Sequence, residues 1–519
     1  MSMPENNSLA NKRIAKNTVL LYMRMLLLLA ISLYTSRIVL NTLGVTDYGI
    51  YNVVGGVITI LGFVTGSLGG ATSRYITTAL GKGDKHALLK LFSSILFIHY
   101  FAGAIIFVLS ETVGLWFVLT QLNIPNGRMP AAMWVYQLSI LAAIVNMISI
   151  PYNAVIIAHE KMSAFAYISL LDATLKLLIA FLLQISPTDK LILYSVLILL
   201  VQLLDRLLYY FYCQKHFEET RTKAKYNKEL FREISAYAGW TITGELSVVG
   251  YTQGLNVLLN IFFNPAVNAA RGIAVQIQGI CSQFSTNFEM ALNPQITKNY
   301  AQGNLERMHH LIIHGSKFSY YIFFFILLPL TLEAPFVLKI WLGEVPPYSV
   351  IFLRLTLVIG ILFTLKNFII VAVHATGTIK RFQIIETSML LSIVPIAYIG
   401  LKYFHFAPES VFIVHIAVEI VTQLVRLMIV LPMIGMSMLV YMKKVVLPLV
   451  VVTIIAPVLP TVLYMYLGNA VVNFFVVCLA AVVSSCLTIY YIGCTGQERS
   501  FINAQLASVA SKFNISFKK

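Results

Sequence analysis

The chain has 519 residues, 58% of them hydrophobic and 11% charged, with a net charge of +16 at pH 7. Soluble domains carry about 25% charged residues, so a water-soluble fold of this length would lack the side chains to cover its surface. The apolar runs are long and continuous, as at 25–36 and 445–467. That excludes a barrel of alternating strands and predicts an all-α, polytopic membrane protein whose helices each use about 20 residues.

In chain order, fourteen candidate helices cover 15–40, 48–72, 89–111, 131–157, 163–185, 191–213, 234–260, 272–293, 315–340, 349–374, 383–402, 409–432, 445–467 and 470–494. Lys12, Arg13 and Lys16 precede the first. Its length and its lack of a small-residue cleavage site mark a retained span rather than a signal peptide. The five cysteines fall in or beside apolar segments without ligand spacing, so neither disulfides nor a metal site is expected.

Counting connections from an inward N-terminus places 25 of the 37 Lys and Arg residues on one side, Lys317 among them. Five (Arg128, Lys190, Arg271, Lys339 and Lys402) fall on the other side and seven within spans. This positive-inside asymmetry predicts that both termini are cytoplasmic. The positive charge is thereby read as topology rather than nucleic-acid affinity. The link at 214–233 is charged and is predicted to form a cytoplasmic linker helix.

The chain also repeats itself. Leu40-Asn41-Thr42 resembles Leu259-Asn260-Ile261, and Ile76-Thr77 leads through Gly81 and Gly83-Asp84 as Ile296-Thr297 leads through Ala301 and Gly303-Asn304. Six spans separate the copies, and an even number preserves orientation, so the halves are parallel repeats with a substrate site expected between them. The expected domains are an N-terminal lobe (1–213, spans 1–6), the linker (214–233), a C-terminal lobe (234–432, spans 7–12), and spans 13–14 with a cytoplasmic tail (433–519). Alternating access follows from that arrangement.

Ionisable residues inside a bilayer are costly and mark function or mutual pairing. Asp172 and Lys176, four apart, are read as a structural ion pair. Glu419, Gln423 and Arg426 share one face as a polar ladder. Arg354 lies near an outer helix end, where its head group can snorkel. Arg24 in span 1 and Glu245 in span 7 fall at similar depth once the repeat offset is removed. They form either a static bridge between lobes, or an anion receptor (Arg24) beside the carrier of a coupling H+ or Na+ (Glu245).

Gln253 and Asn256 in span 7, and Gln276, Gln283 and Asn287 on one face of span 8, must meet protein or water. They are read either as sugar-binding groups or as interhelical glue. The glycines of span 2, among them Gly55, Gly62, Gly66, Gly69 and Gly70, are read as allowing close helix contact. His309, His310 and His314 are read as solvated surface. No nucleotide-binding loop or hydrolase motif is present, so the chain is not read as an enzyme, and beyond the coupling ion no cofactor is expected.

Several stretches carry a family likeness. Tyr22-Met23-Arg24-Met25-Leu26, Ser32 through Val45, Asp47-Tyr48-Gly49-Ile50-Tyr51, Asn264-Pro265-Ala266-Val267-Asn268-Ala269-Ala270-Arg271-Gly272, Asn293-Pro294-Gln295 and Trp341-Leu342-Gly343-Glu344 resemble bacterial polysaccharide (O-antigen type) flippases. These form the lipopolysaccharide-biosynthesis branch of the multidrug/oligosaccharidyl-lipid/polysaccharide exporter superfamily. The resemblance implies ion-driven flipping of undecaprenyl-pyrophosphate-linked oligosaccharide across the bacterial inner membrane. It further implies that cavity arginines receive the pyrophosphate, at Arg24, Arg37 and Arg271. Its partners are then membrane lipids, the lipid-linked oligosaccharide, and the polysaccharide polymerase and chain-length machinery. The competing readings are a multidrug or cation antiporter of the same superfamily and a membrane glycan polymerase or ligase. The embedded arginines count against the former, and the absence of a large periplasmic loop against the latter.

Overall fold

A computed structural model of the chain describes residues 3–59, 62–122, 124–125, 127–263, 265–342, 344–467, 471–500 and 503. Asn264 and Gly343 of the motifs above, and the tail cations Lys512, Lys518 and Lys519, lie outside them. Among the described residues the chain is all α-helical, with no strand. The helices are α1 (Met3–Thr59), α2 (Gly62–Lys82), α3 (Lys85–Thr120), α4 (Met129–Ala158), α5 (Met162–Ile185), α6 (Lys190–His216), α7 (Lys228–Phe262) and α8 (Pro265–Ala301). They continue as α9 (Leu305–Leu332), α10 (Ala334–Leu342), α11 (Ser349–Thr376), α12 (Lys380–Tyr403), α13 (Ser410–Met433), α14 (Met438–Tyr466) and α15 (Val471–Gly493).

Eleven helices among the described residues are long and apolar enough to cross a membrane. The other three expected spans are helical too. Spans 7 and 8 are α7 and α8, whose amides and hydroxyls lower their hydropathy. Span 2, expected over 48–72, is helical on both sides of residues 60 and 61, which lie outside the described residues: in the end of α1 and in α2, which runs on to Lys82. Within α1 the chain turns at Gly44, whose φ of +78° a side chain would strain. Large apolar side chains stand exposed all over the molecule, as with Ile185 (81%) and Trp116 (57%). Water would penalise such a surface, whereas hydrocarbon does not. This is a multi-pass membrane protein.

Packing divides the chain into two compact units. One holds Met1–Val249, Met290–Met308 and Val373–Thr387; the other holds Gly250–Glu289, His309–Ala372 and Ser388–Lys519. In the first unit alternate connections gather at opposite helix ends. Before α4, Arg128 donates to Asp47 from Nε (2.9 Å) and to Asp189 from Nη1 (2.6 Å). Hydrogen bonding to Arg128 holds the Asp189 carboxyl below its usual range. Arg128 thus ties its own connection to Asp47, which opens one of the motif stretches, and to Asp189 before α6. Beyond α4, His159 Nε2 meets Glu219 Oε1 at 2.6 Å, and Asn17 Nδ2 donates to the Glu160 carbonyl at 3.4 Å.

The expected linker helix does not form over 214–233. α6 ends at His216, a single 3₁₀ turn covers Glu218–Thr220, and extended chain leads to α7. Ser93 holds that extended strap, its Oγ donating to the Lys223 carbonyl (2.6 Å) and its own carbonyl accepting from the Lys225 amide (3.2 Å).

The turns carry the repeat. Gly83 and Gly303 share left-handed φ values of 75° and 74°. Each is followed by an N-cap: Asp84 Oδ1 accepts from Ala87 N (3.0 Å) and Asn304 Oδ1 from Arg307 N (3.2 Å). The turn from α4 to α5 has Glu160 at φ 58°, and the turn from α11 to α12 has Gly377 at φ 80°.

In the second unit, Lys317 is not a loop cation: it is 1% exposed within α9 and holds Glu498 at 2.8 Å. His314 Nδ1 meets the same carboxylate at 2.5 Å, and His309 Nε2 bonds the Ile434 carbonyl at 2.7 Å. These two histidines are therefore packing elements and not solvated surface. Burial opposes the charge on Glu498, but the bonds to His314 and Lys317 prevail and hold its carboxyl down at about 2. Because the folded value lies below the ordinary 4.5, the stabilisation is complete above pH 4.5 and is lost as the pH falls toward 2. Glu498→Gln is expected to cost about 2 kcal/mol at neutral pH and to flatten the acid limb of a thermal-stability profile taken in detergent.

Candidate functional site

Arg24 lies on α1 in the first unit, half-buried, with its guanidinium 4.4 Å from the centre of the Phe165 ring on α5. Its Nε is buried and makes no hydrogen bond. Within electrostatic range stand Asp172 on α5 and Tyr209 on α6. Asp172 holds Lys176 at 2.8 Å, which is the expected ion pair. The carboxyl of Asp205 on α6 lies at hydrogen-bonding range of Asp172. Two carboxyl groups on neighbouring helices at this range can share one proton.

Sequence reasoning paired Asp172 with Lys176 and did not bring Asp205 to it. Asp172 and Asp205 lie on consecutive helices, and their meeting depends on how α5 packs against α6. Glu245, expected at the level of Arg24, stands exposed on α7. No ion pair joins it to Arg24 among the described residues. Arg37 is likewise exposed on α1.

A cavity of 640 Å³ lies among α1–α4 and α6 of the same unit, lined in part by Gly62, Gly66, Gly69, Asn146, Ser195 and Gln202. A Cβ built on Gly62, Gly66 or Gly70 would meet nothing within 4 Å. Contrary to expectation, these three glycines open space instead of bringing helices together, whereas a Cβ on Gly69 would lie 3.4 Å from Ile150 and one on Gly55 3.9 Å from Ser139. The Gln202 Oε1 is buried and unpartnered. Among the described residues, no ionisable side chain other than the Tyr51 phenol lines this cavity.

In the second unit, Arg271 is not part of a loop, because α8 already begins at Pro265. It is 7% exposed and donates from Nη1 to Asn256 Oδ1 and from Nη2 to the Thr252 carbonyl (3.1 Å). Asn256 Nδ2 in turn donates to Gln253 Oε1 at 3.0 Å. Three of the expected site residues thus form one chain of hydrogen bonds, ending at the exposed Gln253. Gln276 and Gln283 are exposed on one face of α8, while Asn287 turns inward and donates to the Gln283 carbonyl at 2.7 Å. The ladder on α13 is present: Arg426 Nη1 donates to Glu419 (2.6 Å) and to Gln423 (3.1 Å), the ion pair being 1% exposed on each side. Arg354 does more than snorkel, since its Nε caps the end of α9 at the Thr331 carbonyl (2.9 Å).

No family model matches the chain, and no curated protein sequence matches it. Solved structures do. MATE in its bent and in its straight conformation each superpose with a TM-score of 0.71 at 16% identity, over 82% of this chain and 96% of theirs. An outward-facing multidrug resistance MATE family transporter of the MOP superfamily gives 0.70 at 16%, covering 81% of this chain and 96% of its own. A MOP superfamily transporter from Pyrococcus furiosus gives 0.67 at 16%, with the same coverage. The fold is therefore that of MATE transporters of the MOP superfamily.

Proposed function

With that fold as premise, we propose that the chain is a flippase that moves an undecaprenyl-pyrophosphate-linked oligosaccharide across the bacterial inner membrane by alternating access. A pyrophosphate and its glycan cannot cross about 30 Å of hydrocarbon without replacement of their hydration. The observation that carries the reading is Arg24, a half-buried guanidinium on a membrane helix with one buried N–H left unused. A guanidinium is matched to phosphate in charge and geometry. The exposed amides of Gln253, Gln276 and Gln283 offer donors and acceptors for sugar hydroxyls. The Lys and Arg asymmetry supports a cytoplasmic position for both termini, and the sequence motifs support the flippase branch.

We assign the coupling ion to a proton shared by Asp172 and Asp205, in preference to Glu245. The two carboxyls can share a proton between α5 and α6, whereas Glu245 stands exposed on α7. The repeat-based lobes, 1–213 and 234–432, are the bodies that would move.

The glycine-lined cavity favours a second reading. Among the described residues only the Tyr51 phenol lining it is ionisable, and it is mostly apolar, as suits an amphipathic compound; one structural neighbour is a multidrug resistance transporter. Deletion separates the two readings. In the flippase reading, cells lacking the protein accumulate lipid-linked repeat units on the cytoplasmic leaflet, and the wild-type chain clears them. Unchanged lipid-linked pools together with new sensitivity to cationic drugs would favour the second.

A further inference from the structure

A second cavity of the first unit, 870 Å³ in volume, is bounded by Arg74 and Tyr75 on α2, by Glu233, Tyr237 and Trp240 on α7, and by the turn from Thr376 into α12. By the Lys and Arg count this end of the helices is cytoplasmic. The cavity's charged groups have different fates. Arg74 is committed to the wall: its Nε donates to the His374 carbonyl, and its guanidinium lies 4.6 Å and 4.8 Å from the ring centres of Tyr75 and Tyr237. Glu233 lies within electrostatic range of the Tyr75 hydroxyl. Lys380 and Arg381 are exposed and form no ion pair among the described residues. Lys380 Nζ is 5.4 Å from the centre of the Trp240 ring.

The cavity therefore combines a cationic lip with an aromatic wall. Loop cations that only set topology need neither a cavity nor aromatic faces. A bare phosphate would use the cations and leave the rings idle, whereas an apolar compound would use the rings and leave the cations unpaired.

We propose that this cavity binds the phosphate-bearing saccharide end of a membrane lipid at the cytoplasmic face. Lys380 and Arg381 hold the phosphates, and Trp240 presents a flat apolar face to a sugar ring, backed by Tyr75 and Tyr237. Arg74 positions that wall. The inference rests on the flippase reading and deepens it, making this the place where the substrate is collected before it reaches Arg24.

The test uses the full chain in nanodiscs and a short polyprenyl pyrophosphate bearing one N-acetylhexosamine. Binding is read by quenching of Trp240 fluorescence, with Trp240→Phe as the blank, and in parallel by thermophoresis. Lys380→Ala/Arg381→Ala is expected to weaken binding by about tenfold or more, since two charge-assisted contacts are lost. Lys443→Ala/Lys444→Ala removes the same charge from another exposed site and is expected to change nothing. Inorganic pyrophosphate is expected to compete weakly, and phosphatidylglycerol in the nanodisc not at all. Equal affinity of wild type and Lys380→Ala/Arg381→Ala would overturn the site and leave the flippase reading standing. Phosphatidylglycerol competing as well as the probe would overturn the saccharide specificity. Absence of binding to the wild type would overturn both site and reading.

Discussion

Arg426→Leu is expected to destabilise the protein by about 3–5 kcal/mol, because it removes the ion-pair partner of a buried Glu419 carboxylate. Both partners are 1% exposed, and Gln423 joins them by accepting from Arg426 at 3.1 Å and donating to the Leu365 carbonyl at 3.1 Å. The ladder thereby fastens α13 to α11. The double variant Glu419→Gln/Arg426→Met removes both charges while nearly conserving volume, and is expected to recover most of the loss. Thermal unfolding in detergent measures both. A single variant as stable as wild type would mean that water reaches Glu419.

Asp205→Asn is expected to leave insertion intact and to abolish the response of transport to a pH gradient. Asparagine donates a hydrogen bond to Asp172 permanently, as the protonated acid does, while the Lys176–Asp172 ion pair at 2.8 Å is retained. The variant is therefore locked in the loaded form. In proteoliposomes, transport with and without a pH gradient is expected to proceed at one rate. Acceleration equal to that of wild type would move the coupling site elsewhere.

Most of the helix scaffold is legible in the sequence because hydrophobic length and the count of Lys and Arg are one-dimensional signals. The exceptions have local causes. Spans 7 and 8 are too polar for a hydropathy criterion, yet Thr241, Gln253 and Gln283 did not stop them from being helical. The linker was misjudged because its charges suit a solvated helix, whereas Ser93 binds it as extended chain.

Site residues were legible where partners lie within one or two turns, as with Asp172 and Lys176, or Glu419 and Arg426. Pairings between helices were not. Asp205 with Asp172, Arg128 with Asp47 and Lys317 with Glu498 depend on packing, which periodicity does not encode. The glycines of span 2 carry the same lesson. A missing side chain lets helices close or leaves a cavity, and only the neighbours decide which; here Gly62 and Gly66 face open space.

The most direct measurement of the central claim is reconstitution of the purified chain in liposomes that carry a fluorescent undecaprenyl-pyrophosphate oligosaccharide in both leaflets, with a membrane-impermeant reductant added outside. The account predicts that wild type exposes the inner-leaflet pool to the reductant and that Arg24→Ala does not. Protection of that pool in wild-type liposomes that nevertheless expel a cationic dye would contradict it.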